Sequence, residues 1–287
     1  MSAILEVKGL SKQYANSDFR LDNVSMSIPN GAIMGFVGEN GAGKSTTIGC
    51  ILHTLIKDKG TVKIFSKEMT DDSTDIRDDI GVVYDTNAFP SYLTPAKISS
   101  AMRHIFTKWD NGLFKSYLRR FKLPENQKIK AFSRGMTMKL AVAVALSHHP
   151  KLLILDEATS GLDPIVRDDI LDVFLDFVQD EMNSILMSSH ITTDLEKVAD
   201  YITFIHEGKI VFSEKKDTLI YDYGLMRCKA AQFEEIDKAD MLAYRKHEYQ
   251  IDVLVADRKS AGQKYRDVVI DNVSIDEIML MFVKGKR

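Results

Sequence analysis

Apolar and polar positions change their period along the chain, and the changes mark out several kinds of structure. "ILEV" (4–7) and "LDNVSMSI" (21–28) alternate, as strands with one buried face do, and polar turn residues separate them. "AIMGFVG" (32–38) is a continuous apolar run, the pattern of a strand covered on both faces in a parallel sheet. Residues 44–56 read as a helix, and "TVKIF" and "IGVVY" as short strands. From about 94 to 148 the spacing turns helical, through "ISSAMRHIFTKW", "LFKSYLRRF" and "TMKLAVAVAL". Strands and helices then alternate: "KLLILD", a helix across 165–179, "NSILMSS", a helix across 192–199, "YITFIH" and "KIVFS". Such alternation predicts an α/β fold with helices on both faces of a mostly parallel sheet, the helical block being inserted into it.

The pattern changes again near residue 218. "LMRCKAAQF", "YQIDVLVA" and "DVVI" read as strands, and a final helix starts at Ser274. Glu277 completes a capping box there, and Ile275, Ile278, Met279 and Phe282 form one apolar face. Residues 218–287 are therefore expected to form a small α/β annex after a main body spanning 1–217. The sequence carries no internal repeat and no low-complexity tract.

Composition narrows the function classes. The 287 residues are 45% hydrophobic and 28% charged, ordinary for a globular chain with a sizeable core. A net charge of −3 gives no electrostatic reason to expect nucleic-acid binding. Two cysteines, Cys50 and Cys228, make no disulfide scaffold, so a reducing compartment is expected. The N-terminus lacks the basic-then-apolar pattern of a signal peptide. The longest apolar run, "LAVAVAL" at 140–146, falls far short of a membrane span. The expectation is a soluble chain whose membrane role, if it has one, comes through a partner.

Two motifs carry chemistry. "GENGAGKST" (38–46) fits the phosphate-binding pattern G-x-x-x-x-G-K-[ST], follows a predicted buried strand and opens a predicted helix. Gly38, Asn40, Gly41, Gly43 and Thr46 would wrap phosphates with backbone N–H groups, aided by the helix N-terminus. Lys44 would reach the β- and γ-phosphates, and Ser45 would ligate Mg²⁺. "LLILDEATSGLDP" (152–164) is a buried strand ending in two carboxylates. Asp156 stands where it would hold Mg²⁺, and Glu157, one residue on, would polarise an attacking water. A chance glycine-rich turn, or a strand merely meeting solvent at an acidic loop, explains either motif alone but not both together.

Over residues 1 to about 215 the order of motifs resembles the nucleotide-binding subunit of an ABC transporter. The phosphate loop comes first, then "FSRGM" (132–136), the Asp-Glu strand, "SGLD" (160–163) and the lone histidine of "SSHIT". The resemblance implies a P-loop NTPase core of RecA type with an N-terminal antiparallel β subdomain, a helical insertion across about 88–149 and the annex. It implies ATP and Mg²⁺ as cofactors, ATP hydrolysis as the activity, and site roles residue by residue. Tyr14 would stack on adenine. Asp163 would couple two active sites across a dimer, and His190 would contact the γ-phosphate beside the base Glu157.

Two stretches depart from the family pattern. Asp85 stands where members usually have a glutamine and, though shorter and charged, would still reach Mg²⁺ or its water. In "FSRGM", Phe132, Arg134 and Met136 replace Leu, Gly and Gln of the usual LSGGQ, while Ser133 and Gly135 remain. Those two would contact the γ-phosphate bound to a second subunit. These variants, with the tail "SIDEIMLMFVKGKR", resemble exporter ATPases of the bacitracin-resistance, antimicrobial-peptide-immunity and phenol-soluble-modulin type. The resemblance implies a separate ABC-2-type permease, a homodimer or heterodimer of ATPase subunits, and a place on the inner face of the cell membrane. Phe89, Tyr92, Phe106 and Trp109 of the helical insertion are expected in the core or at a groove for that permease. A soluble ABC-type ATPase acting on ribosomes or DNA is the alternative; the single cassette, without a heptad run or basic patch, speaks against it.

Overall fold

A computed structural model describes residues 3–15, 17–86 and 89–286; the expected start of the helical insertion at residue 88 lies outside them. In chain order the first elements are β1 (Ala3–Gln13), β2 (Arg20–Pro29), β3 (Ile33–Val37), α1 (Lys44–Ile51), β4 (Lys59–Ile64) and β5 (Lys67–Glu68). Next come α2 (Thr74–Arg77), β6 (Ile80–Tyr84), α3 (Pro95–Met102), α4 (Asn111–Arg120), α5 (Arg134–Leu146) and β7 (Leu152–Asp156). The body closes with α6 (Pro164–Phe177), β8 (Ser184–Ser189), α7 (Thr192–Val198), β9 (Tyr201–His206) and β10 (Lys209–Lys215). After it lie β11 (Gly224–Cys228), α8 (Ala230–Glu234), β12 (Ala243–Lys246), β13 (Ile251–Val255), α9 (Arg258–Lys264), β14 (Val269–Asp271) and α10 (Ile275–Lys284).

The middle layer is a six-stranded sheet ordered β10-β9-β3-β8-β7-β6, parallel except for the β9–β10 hairpin. Its strands divide their residues between two cores at the two-residue period of a pleat. Ile33, Val37, Leu153, Leu155, Ile185 and Met187 join one core with residues of α5, α6 and α7. Met34, Phe36, Leu152, Ile154 and Leu186 join another with α1 and the antiparallel sheet β2-β1-β4-β5. Both faces being covered, β3 and β8 are buried at every residue; β3 reads in the sequence as an unbroken apolar run, while β8 carries Ser184, Ser188 and Ser189 around its apolar centre.

The third sheet, β12-β13-β11-β14, is antiparallel and splits in the same way. Met226, Cys228, Val253 and Val255 form a small core of their own, while Leu225, Leu254 and Ala243 share the large one with Ile275, Ile278 and Met281 of α10. Helix α10 also sets Phe282 against Phe212 of β10, ring centroids 5.5 Å apart. Its capping box forms as the sequence predicts, with Ser274 Oγ accepting from Glu277 N at 3.2 Å and Glu277 Oε2 from Ser274 N at 2.9 Å.

Some local expectations are corrected. "LMRCKAAQF" divides into β11 and α8: Gln232 Oε1 accepts the Lys229 N–H at 2.8 Å, and the Ala-Ala-Gln run favours a helix. Strand β12 emerges from a stretch without clear alternation. Helix α1 stops at Ile51, with His53 in the left-handed region at φ 58°. Helix α3 stops at Met102, and residues just beyond it find partners outside the helix. Phe106 stacks on His148, Thr107 bonds to Asp78 and Lys108 to Asp79.

Candidate functional site

The parallel strands β3, β6, β7 and β8 all end on one side of the sheet, where sites gather in such folds. Residues 38–43 follow β3, Asp85 follows β6, Asp156 ends β7 with Glu157 next, and His190 follows β8. A single feature of topology thus brings together residues distant in sequence.

The phosphate loop is held from two sides. Gly43 caps α1 at φ 113°, where a Cβ would come within 2.6 Å of Leu21, and no side chain caps the helix. Its first-turn N–H groups are consequently left for an anion. From the side, the β9–β10 turn fastens the loop: Gly208 N donates to Ala42 O at 3.0 Å, and Gly208 O accepts from Asp22 N at 2.9 Å. A Cβ at Gly208 would overlap Arg20 O at 1.9 Å, and its φ of 75° favours glycine as well.

Lys44 is buried, 6% exposed, and its ammonium donates to Gly38 O at 2.7 Å and Glu39 O at 3.2 Å. It also stands 3.2 Å from Glu157 Oε1, an ion pair by distance without the angle of a hydrogen bond. Glu157 Oε2 lies 2.7 Å from His190 Nδ1. The carboxylate therefore sits between a buried cation and an exposed imidazole. Glu157 itself adopts φ 56°, a strained backbone for a non-glycine residue and common at functional sites.

Ser188 completes this cluster and went unremarked in the sequence. Its hydroxyl donates to Asp156 Oδ1 at 2.7 Å and accepts from Glu157 N at 3.1 Å. The signal was present: Ser188 is a polar residue at the end of an apolar strand, in register with Asp156 across the parallel ladder. Tyr84 stands on the other side of Asp156 in the same ladder, and burial together with the Asp156 charge pushes its phenol up.

These groups fit a nucleotide phosphate with Mg²⁺. The uncapped helix start and Lys44 suit the anion, while Asp156 and the exposed hydroxyl-bearing Ser45 are the hard oxygen donors that Mg²⁺ takes. Asn40 and Gly41 are exposed beside the loop, lining an open cleft of about 740 Å³ with Arg20 and His206. Thr46 lies half-buried in the first turn of α1.

The remaining predicted residues make contacts of their own. Tyr14 stands just past β1 on the antiparallel sheet, with the Lys12 ammonium 5.8 Å from its ring centroid. Ser133 caps α5, accepting from Met136 N at 3.2 Å, and Gly135 packs by Val166. Asp163 caps α6, accepting from Val166 N at 3.0 Å. Asp85 is ion-paired with Arg134. Of the four aromatics, Phe89 and Trp109 pack against the core, Trp109 also donating to Ser99 Oγ at 3.1 Å; Tyr92 is exposed.

The family model for ABC transporters matches residues 21–160. A bacitracin transport ATP-binding protein of Bacillus licheniformis is 32% identical over 213 residues, covering 74% of this chain and 69% of that protein. A lantibiotic transport ATP-binding protein of Streptococcus pyogenes is 33% identical over 219 residues, covering 75% of this chain and 92% of that protein. Among solved structures, an ATP-binding subunit of an ABC transporter superposes with a TM-score of 0.66 at 26% identity, over 75% of this chain and 91% of that one.

Proposed function

The chain belongs to the ATP-binding subunits of ABC transporters, ATPases that bind ATP with Mg²⁺, and on that premise we propose that it drives a peptide exporter. Two copies, or this copy and a related one, close around two ATP molecules and couple hydrolysis to a separate ABC-2-type permease. The cargo is a peptide antibiotic or another amphipathic toxic compound, in line with relatives whose names carry bacitracin and lantibiotic transport. The ATPase works at the cytoplasmic face of the membrane through that permease. No helix among the described residues is long and apolar enough to cross a membrane itself.

The observation that carries this reading is Glu157, held between Lys44 and His190. A γ-phosphate entering here competes with Glu157 for Lys44, releasing the carboxylate to take a proton from water. His190 keeps the carboxylate aimed and reaches the same phosphate. Asp156, steadied by Ser188, and Ser45 hold Mg²⁺, which neutralises phosphate charge when bound. Ser133, Gly135 and Asp163 act toward the second copy, and Tyr14 stacks on adenine.

The permease contact is assigned to an apolar groove of about 360 Å³ lined by Leu52, Ile80, Val82, Tyr84, Phe106 and Ala145. It lies between the helical insertion and the parallel sheet, beside the strand that ends at the site. In this reading residues 1–217 are the motor and 218–287 an accessory unit.

The test is ATP hydrolysis by the purified chain against Glu157→Gln, with size-exclusion chromatography in the presence and absence of ATP. Hydrolysis by the wild type alone, and an ATP-dependent dimer of the variant, support the reading. Equal hydrolysis by both overturns the role of Glu157.

A further inference from the structure

The two positions at which the sequence departs most in charge from its family, Asp85 and Arg134, are each other's partners. Arg134 Nη2 donates to Asp85 Oδ1 across the gap between the loop after β6 and the first turn of α5. The pair spans a cleft of about 250 Å³ lined also by Tyr84, Phe132, Thr137 and Met138. The same guanidinium lies over a third segment: a Cβ on Gly161 would come within 2.8 Å of Arg134 Nη1.

We propose that Asp85 and Arg134 form a positioning pair that sets the first turn of α5, with Ser133 and Gly135, relative to the strand ends that carry the hydrolytic groups. This rests on the ATPase reading above. Arg134 is the first residue of α5, directly after the capping Ser133, so whatever fixes its side chain fixes the direction in which that turn starts. On the other side, Asp85 directly follows Tyr84, which is in register with Asp156. One ion pair therefore ties the turn to the strand next to the metal-binding carboxylate, and the Gly161 contact ties it to the loop that follows Glu157.

A glycine in place of Arg134 has nothing with which to reach Asp85, and a neutral residue in place of Asp85 leaves the guanidinium no acid. Each change is intelligible only with the other. Both side chains remain about half exposed, at 53% and 43%, so the pair is screened and exchangeable rather than a rigid brace. That suits a contact remade in each turnover.

The experiment compares steady-state ATP hydrolysis by the full chain as wild type, Asp85→Ala, Arg134→Ala, the double alanine variant and the charge-reversed Asp85→Arg/Arg134→Asp. Wild type against Glu157→Gln reports separately on the ATPase reading, since that substitution leaves the pair intact. Each single substitution is expected to lower kcat about fivefold to tenfold with KM for ATP unchanged. The double variant is expected to be no slower than the slower single one, and reversal to return kcat to within about twofold of wild type. Multiplying defects in the double variant, or a reversed pair as slow as the singles, would overturn the proposal. So would a raised Mg²⁺ requirement in Asp85→Ala alone, which would assign Asp85 to the metal independently of Arg134.

Discussion

Lys44 and Glu157 hold one another 3.2 Å apart at the point where two buried strands run out. In the proposed mechanism the pair joins the cation that meets phosphate to the carboxylate that activates water. Lys44→Ala is therefore expected to weaken nucleotide binding by about 10-fold to 100-fold, the worth of a hydrogen bond to a charged group. Titration with a fluorescent ATP analogue measures it, and unchanged affinity would show that the ammonium does not meet the phosphates.

Ser188→Ala removes the hydroxyl that serves both Asp156 and the Glu157 backbone. The Mg²⁺ concentration for half-maximal hydrolysis should rise about 10-fold, as when a residue orienting a metal ligand is lost. Ser188→Thr keeps the hydroxyl and should recover most of that. A threonine variant as impaired as the alanine one would point to packing instead.

Asp79 lies against the ammonium groups of Lys108 and Lys151, the latter at 3.1 Å. Burial works to raise its carboxyl, but the two lysines hold it below its ordinary 3.8. A lowered folded value means stabilisation that is present above the ordinary range and lost as pH falls through the folded one. Asp79→Asn should thus cost about 1 kcal/mol at neutral pH. Urea midpoints of the two proteins should converge as the pH drops below 3.8.

Cys50 and Cys228 are free and buried, and burial pushes both thiols above their ordinary 9.0. Neither should be alkylated by iodoacetamide at pH 8 in the native protein, while both react in urea. Because the folded values are raised, the associated stability is intact at neutral pH and lost only as the solution becomes strongly alkaline. Mass spectrometry counts the modified thiols.

Ile278 on α10 is fully buried in the core shared by the third sheet and the body. Ile278→Ala should cost about 2–5 kcal/mol. The loss should lower one cooperative melting transition rather than detach an early-melting annex. Calorimetry showing two separated transitions would contradict the shared core.

The parallel layer and the site's spine were legible in the sequence for a physical reason. Strands buried on both faces are mainly apolar: β3 is so throughout, β7 up to Asp156, and β8 at Ile185, Leu186 and Met187. Asp156, Glu157 and His190 could then be placed at strand ends, and Gly43 and Lys44 at the start of the helix that follows β3. What remained hidden depends on contacts across the chain. Ser188 is one serine among several until the ladder sets it beside Asp156. Arg134 is only a departure from the family pattern until its partner is placed. The end of α3 at Met102 is decided by Phe106, Thr107 and Lys108 finding partners elsewhere, which no local periodicity encodes.

The peptide groups around Gly208 are bonded on one side to Ala42 and on the other to Asp22. The phosphate loop thereby inherits its stiffness from a hairpin outside both of its flanking elements. A loop of small residues would otherwise fluctuate and lose entropy at every capture of nucleotide; here that ordering is already done during folding. Slow hydrogen exchange at the Gly208 amide is the signature of such a loop, and its rigidity can drift through changes in β9 and β10 while every phosphate-binding residue stays the same.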